Sequence, residues 1–414
     1  MVAKFFGGIL SLGFGLSLGR EGPSVQLGAN VGAGFAKIFK RINLEQKYLI
    51  TAGASAGLAA AFNAPLAGVI FALEELHKSF SPLILTCAMG ACIVADFVSG
   101  DILGIKPIFH FDTVQTLPLK YFAFIIVLGI LTAILGKLFN VSLIFFQKQF
   151  KRIKIDAMYK PIIPLMLAGV LGFTLPQVLG GGHHLIEELS QTNELLLIIA
   201  GLFVAKLLFT SIAYGSGVPG GIFLPLLVLG ALIGKAYGQI AVDLFHLDTA
   251  YTMNFMILAM AAYFTAVVRA PITGSILITE MTGSFSHLLP LITVSLTAYV
   301  VTDLIGSKAI YELLLDNLLK NKKGNWLKGK GGDKVVMEIP VSFGSEIEHK
   351  LVKDIQWPSD CLMVGIKRGE KEIIPNGETK IYAGDYIIFI SDESIAGYLK
   401  MKLLQMGEEV LIEA

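Results

Sequence analysis

Charged side chains are missing from three long stretches: none falls between Lys47 and Glu74, between Lys206 and Lys235, or between Glu280 and Asp303. Each stretch reaches the ~20 residues that a helix needs to cross a hydrocarbon layer. One such segment could be the core helix of a soluble protein, but several in one chain could not, so the pattern reads as membrane-embedded. The apolar runs predict helices over residues 48–62, 64–76, 82–98, 121–150, 161–178, 195–212, 221–242, 253–267, 272–281 and 288–305, with a short last piece near 310–319. Several are too short to cross a bilayer alone, so broken or re-entrant helices fit better than simple spans.

The same punctuation occurs twice. PSVQLGANVG at 23–32 lies beside PLLVLGALIG at 225–234, with Pro23, Leu27, Gly28, Ala29 and Gly32 matching Pro225, Leu229, Gly230, Ala231 and Gly234. Just before, GREGP (19–23) lies over GIFLP (221–225). FNAPLAGVIFALEEL (62–76) lies over VRAPITGSILITEMT (268–282), so that Ala64-Pro65, Gly68 and Glu74 coincide with Ala270-Pro271, Gly274 and Glu280. Two ordered matches at nearly one offset imply two structural repeats. Membrane transporters use such repeats, often of opposed topology, to make half-helix N-termini converge at mid-membrane. Gly and Pro stand where these helices would begin, and they suit tight turns and first helical turns.

The composition agrees, with 54% hydrophobic and 16% charged residues, against about 25% charged in soluble domains. The charge is uneven: residues 335–414 hold 22 of the chain's 65 Asp, Glu, Lys and Arg. The expected organisation is a membrane domain at 1–323, a Lys/Gly/Asn-rich linker at 324–334 and a soluble domain at 335–414. The basic cluster around the linker places that last domain in the cytoplasm. Cys87, Cys92 and Cys361 are too few and scattered for a disulfide framework or a zinc site, and the first two read as small packing residues.

At these motifs the chain resembles the CLC family of chloride channels and proton-coupled chloride antiporters. GREGP (19–23), GGIFLP (220–225) and the Tyr311 of KAIYELL are similar to the family's anion-site motifs. FNAPLAGVIFALEE (62–75), GGGHHLI (180–186) and RAPITGSILITEMT (269–282) are similar to its scaffold segments. The likeness runs over about 3–322 and implies an inverted-repeat fold, a homodimer and, here, a prokaryotic plasma (inner) membrane. The family also carries a GSGIP-like segment well before GREGP. The eighteen residues before Gly19 hold none and show no cleavable signal peptide. About four helices and part of the anion site are therefore expected to be absent from the chain.

A dehydrated anion at membrane depth needs donors without a full positive charge, because a Lys or Arg there binds too tightly and is itself costly. Helix N-termini supply such donors. The backbone at 22–24 and 222–224 opens two helices, and the expected anion contacts are Gly22, Ile222, Phe223 and Tyr311. Glu21 sits at such a helix start, and the resemblance gives it the gating role: its carboxylate mimics the anion and swings away when protonated. Glu75 matches the family's internal proton-transfer glutamate. Glu74 has a repeat counterpart in Glu280, which suggests structural work for both. Arg20 reads as a structural ion pair or helix cap, and His183 and His184 as loop residues without a carboxylate at ligand spacing.

The tail alternates apolar runs with PNGE and AGD turn signals and resembles the TrkA-C domain, a small α/β ligand-sensing module of ion transporters. That resemblance implies a cytoplasmic ligand, a nucleotide or cyclic dinucleotide among the candidates, with a passive dimerisation module as the alternative. The leading function is chloride/proton antiport. A passive voltage- or pH-gated channel would need Glu21 but not Glu75, and nitrate selectivity would turn on the upstream motif. A non-transporting sensor is a third class. No nucleophile–base pair, phosphate loop or metal-ligand set points to an enzyme, and no cofactor or nucleic acid is expected.

Overall fold

The computed structural model describes residues 2–407 apart from 79, 105–106, 110, 112–116, 157, 193, 323–333 and 370. All of the expected linker at 324–334 except Lys334 lies outside the described residues. The chain divides into two compact units, Met1–Asp316 and Asn317–Ala414.

The first unit is helical. Its elements are α1 (Val2–Gly13), α2 (Glu21–Ile38), α3 (Asn43–Phe62), α4 (Pro65–Phe71) continuing as a π turn (Ala72–Leu76), and α5 (Pro82–Leu103). There follow α6 (Phe122–Arg152), α7 (Ile162–Thr174), α8 (His183–Gln191), α9 (Leu196–Gly215) and α10 (Phe223–Phe245). The unit continues with α11 (Thr252–Val268), α12 (Pro271–Thr282) and α13 (Leu288–Leu304), and the start of α14 (Ile310–Lys322) belongs to it. Among the described residues six helices are long and apolar enough to cross a membrane: α5, α6, α9, α10, α11 and α13. Ile93, Val94, Phe97, Val98 and Ile102 stand exposed along α5, as suits a helix whose solvent is lipid.

The two repeats are visible as helix pairs. α2 crosses α3 at backbone contact: a Cβ on Gly28 would lie 2.0 Å from the Gly53 carbonyl oxygen, and one on Gly53 2.2 Å from that of Gly28. α10 crosses α11 in the same way, where a Cβ on Gly234 would lie 2.3 Å from the Phe255 oxygen. α3 ends on Asn63 (φ 49°) and α11 on Arg269 (φ 72°), both left-handed, just before the matching Ala-Pro pairs. Arg269 is held there by Tyr299 O at 3.0 Å and Asp303 Oδ1 at 2.6 Å. Every residue of α11 from Asn254 to Val268 is buried, so this helix is the centre of the core.

Several sequence expectations change. The helix over 64–76 is seven α residues followed by a π turn, and that over 161–178 stops at Thr174 and ends in a 3-10 turn at Pro176–Val178. His183 and His184 open α8 rather than lying in a loop, because Gly182 (φ 92°) turns the chain just before them. Glu187, one helical turn on, accompanies both rings at 3.3 and 3.5 Å, so a carboxylate does stand at their side. Of the two cysteines read as packing residues, Cys92 is buried and Cys87 faces outward.

The second unit has strands β1 (Lys334–Pro340), β2 (Cys361–Arg368), β3 (Lys371–Ile373) and β4 (Asp385–Asp392), then α15 (Glu393–Gly407). They form an antiparallel sheet in the order β1-β4-β2-β3, with a bulge between Met363 and Gly365. Alternate residues Met337, Ile339, Ile387 and Phe389 pack with Leu399 and Leu403 of α15 into one core.

Candidate functional site

The two helix openings of the repeats bind each other. Gly19 N–H donates to Gly221 O at 2.7 Å and Gly221 N–H to Gly19 O at 2.8 Å, a two-residue antiparallel bridge between GREGP and GGIFLP. Such reciprocity is what a pseudo-two-fold relation between repeats produces. It brings the start of α2 against the start of α10. The Glu21 side chain, only 3% exposed, then reaches across: Oε1 accepts from Phe223 N–H at 2.7 Å and Leu224 N–H at 3.2 Å. These are amides of the first turn of α10, which have no partner within the helix. The carboxylate sits where an anion would.

Glycine makes this possible. A Cβ on Gly19 would lie 2.1 Å from both Glu21 carboxylate oxygens, and one on Gly22 2.8 Å from Gly221 Cα. The donors expected at 22–24 are less open than those of α10, since Ser24 N–H is taken by Arg20 O at 3.1 Å. Arg20 stands exposed at the start of α2 and makes no side-chain capping hydrogen bond.

The paired glutamates separate on the π turn, where His77 N–H bonds Ala72 O five residues back at 3.0 Å. With i to i+5 bonding, adjacent side chains on such a turn point roughly 80° apart. Glu74 reaches the start of α12 and accepts from Ile272 N–H at 3.0 Å, Thr273 N–H at 2.7 Å and Thr273 Oγ1–H at 2.7 Å. Its counterpart Glu280 does the same for α4, accepting from Leu66 N–H at 3.0 Å and Ala67 N–H at 2.7 Å. Each repeat therefore caps a helix of the other. Glu75 turns instead into a cavity of about 480 Å³, and this cavity is also lined by Glu21, Gly22, Ile222, Phe223 and Tyr311.

All six residues singled out in the sequence thus meet around one space. Residues 1–303 match the family model described as voltage gated chloride channel. The chain belongs to this CLC family. It is 40% identical over 327 residues to the H(+)/Cl(-) exchange transporter ClcA of Vibrio campbellii, covering 77% of this chain and 70% of that one. Among solved structures it is similar to a slow cyanobacterial Cl-/H+ antiporter, with TM-score 0.73, 34% identity and 77% and 76% of the two chains covered. A CLC-type fluoride/proton antiporter follows, with TM-score 0.63, 26% identity and 75% of each chain covered. Residues 336–403 match the TrkA-C domain.

Sequence reasoning missed some of the lining of this CLC cavity. Tyr214, Lys78 and Glu312 border it, and Lys78 Nζ is hydrogen-bonded to Glu312 Oε1. Lys78 follows the Glu-Glu pair by only three positions, but its partner is 234 residues away, so no local spacing announces the pair. Leu224, named in the sequence only as part of a helix start, is a direct donor to Glu21. Phe223, whose amide is the shorter donor, is fixed by its ring, which packs on Phe62 at 4.9 Å and Phe264 at 4.4 Å.

Proposed function

We propose that the protein exchanges chloride for protons across a membrane, with Glu21 as the gate of the anion path and Glu75 as the inner proton carrier. The carrying observation is the Glu21 carboxylate seated on the Phe223 and Leu224 amides, at a cavity that Glu75 and Tyr311 also line. Helix N-terminal amides favour an anion, and a side-chain carboxylate satisfies them as a chloride would. When Glu21 takes a proton it loses the charge those donors hold. The side chain then swings out and leaves the place to chloride, with Gly22, Ile222, Phe223 and Tyr311 around it. Glu75 gives the proton a branch off the anion path. The likeness to named chloride/proton exchangers favours the same two ions.

Within this reading the protein sits in a prokaryotic plasma (inner) membrane as a homodimer with a pore in each subunit. Residues 1–323 form the transport domain and 335–414 a cytoplasmic regulatory domain for a nucleotide-like ligand. Support comes from the apolar outward rows of α5 and α13, the basic cluster at 320–334 and the TrkA-C match.

Flux in liposomes tests the ion coupling. An imposed chloride gradient should drive protons uphill. Glu21→Gln should pass chloride without pH dependence and move no protons. Glu75→Gln should also move no protons, while Glu21 keeps chloride flux pH-dependent. Native protein that passes chloride and moves no protons would be a channel. A Glu75→Gln protein that still pumps protons would remove Glu75 from the route.

A further inference from the structure

Two cavities meet beside Glu75. The anion cavity of about 480 Å³ holds Glu21 and Tyr311. A neighbouring cavity of about 610 Å³ is lined by Glu74, Arg269, Tyr299, Asp303 and Lys308 among others, and is far richer in charge. Three residues line both: Glu75, Lys78 and Glu312. Lys78 and Glu312 are ion-paired, joining the segment after the π turn to α14 at the residue following Tyr311. Lys78 takes φ 53°, a left-handed conformation that costs a non-glycine residue energy and persists where the surroundings hold it. Of the other charges in that cavity, Glu74 is held by the start of α12 and Arg269 by Asp303.

We propose that the Lys78–Glu312 pair is the partition between these cavities, keeping chloride on one side and leaving Glu75 as the acid that passes protons across. This rests on the antiport reading above. The charged groups that face Glu75 are Lys78 from the following segment, Glu312 from α14 and Glu74 from its own turn, with the Tyr311 phenol across the cavity. Paired, Lys78 and Glu312 offset each other, so Lys78 neither draws chloride into the charged cavity nor fixes Glu75 in its ionised form. Unpaired, each would act alone. A lone Glu312 makes Glu75 bind its proton more readily, and a lone Lys78 makes it release the proton more readily.

The test is the pH profile of chloride-driven proton transport by the full chain in liposomes, with chloride flux measured alongside as the control for folding. Lys78→Ala is expected to move the midpoint to higher pH and Glu312→Gln to lower pH. Both should lower the number of protons moved per chloride while chloride flux persists. The charge-swapped double variant, Lys78→Glu with Glu312→Lys, should restore native coupling, and it keeps the test decisive if either single variant fails to fold. Single variants with native coupling and midpoints overturn the proposal, as does a well-folded double variant that stays uncoupled. Native protein that moves no protons would instead overturn the antiport reading, and this inference with it.

Discussion

Replacing Glu74 separates structural work from proton transfer in two neighbouring acids. In Glu74→Ala the start of α12 loses three hydrogen bonds to a carboxylate: Ile272 N–H, Thr273 N–H and the Thr273 hydroxyl. Ile272 is exposed and its amide can turn to water, whereas Thr273 is fully buried and its two donors are left empty. A hydrogen bond to a charged group is worth about 1.5–3 kcal/mol. With most of the loss at Thr273, the expected cost is about 3–5 kcal/mol for Glu74→Ala. Glu280→Ala should cost less, about 2–3 kcal/mol, because one buried amide (Ala67) and one exposed amide (Leu66) depend on it. Glu74→Gln keeps one acceptor and should cost least. The assay is the thermal midpoint of the detergent-solubilised protein beside proton and chloride flux in liposomes. The order of midpoints should be native, Glu74→Gln, Glu280→Ala, Glu74→Ala, and Glu74→Gln should keep native coupling. Loss of proton transport in Glu74→Gln at unchanged stability would refute the capping role and make Glu74 a proton carrier.

Three further outcomes follow from the same geometry. Gly19→Ala puts a methyl where the Glu21 carboxylate lies, so it should expel the gate and give chloride flux that no longer depends on pH; retained pH dependence would show the carboxylate seated elsewhere. Tyr311→Phe removes one donor from the cavity, worth about 0.5–1.5 kcal/mol or more toward an ion, and should loosen proton–chloride coupling; unchanged coupling would take Tyr311 out of the anion site. In the second unit Asp385 is buried. Burial pushes its pKa up, but bonds from Arg368 Nε (2.8 Å), Arg368 Nη2 (2.7 Å) and Tyr382 N–H (3.0 Å) outweigh it and hold the carboxyl below the usual range. A depressed folded pKa contributes stability that is full above the unfolded value, about 3.9, and is lost as pH falls through the lowered one. Trp357, packed on Phe389 at 5.2 Å, should report acid unfolding of this unit, and Asp385→Asn should lower its stability at neutral pH and flatten the acid limb.

The sequence by itself determined the membrane class and the two repeats, and with the family resemblance it named six of the residues that meet at the cavity beside Glu21. These are written in local terms: charge-free stretches longer than a bilayer, Gly and Pro at helix starts, and a glutamate placed at one such start. It also gave Glu74 and Glu280 a structural role through their matching positions. What each one holds was decided by tertiary structure, since Glu74 caps a helix about 200 residues away and Glu280 caps one as far in the other direction. The Gly19–Gly221 bridge and the Lys78–Glu312 pair are of the same kind. The π turn that separates Glu74 from Glu75, and the helix that begins at His183, also escaped the pattern. Hydrophobic periodicity records which face of a segment avoids water, and in a membrane interior nearly every face does. Which side chains meet is then set by where backbones can approach, at Gly28 on Gly53 and Gly234 on Phe255, and by which helix ends still need a hydrogen-bond partner.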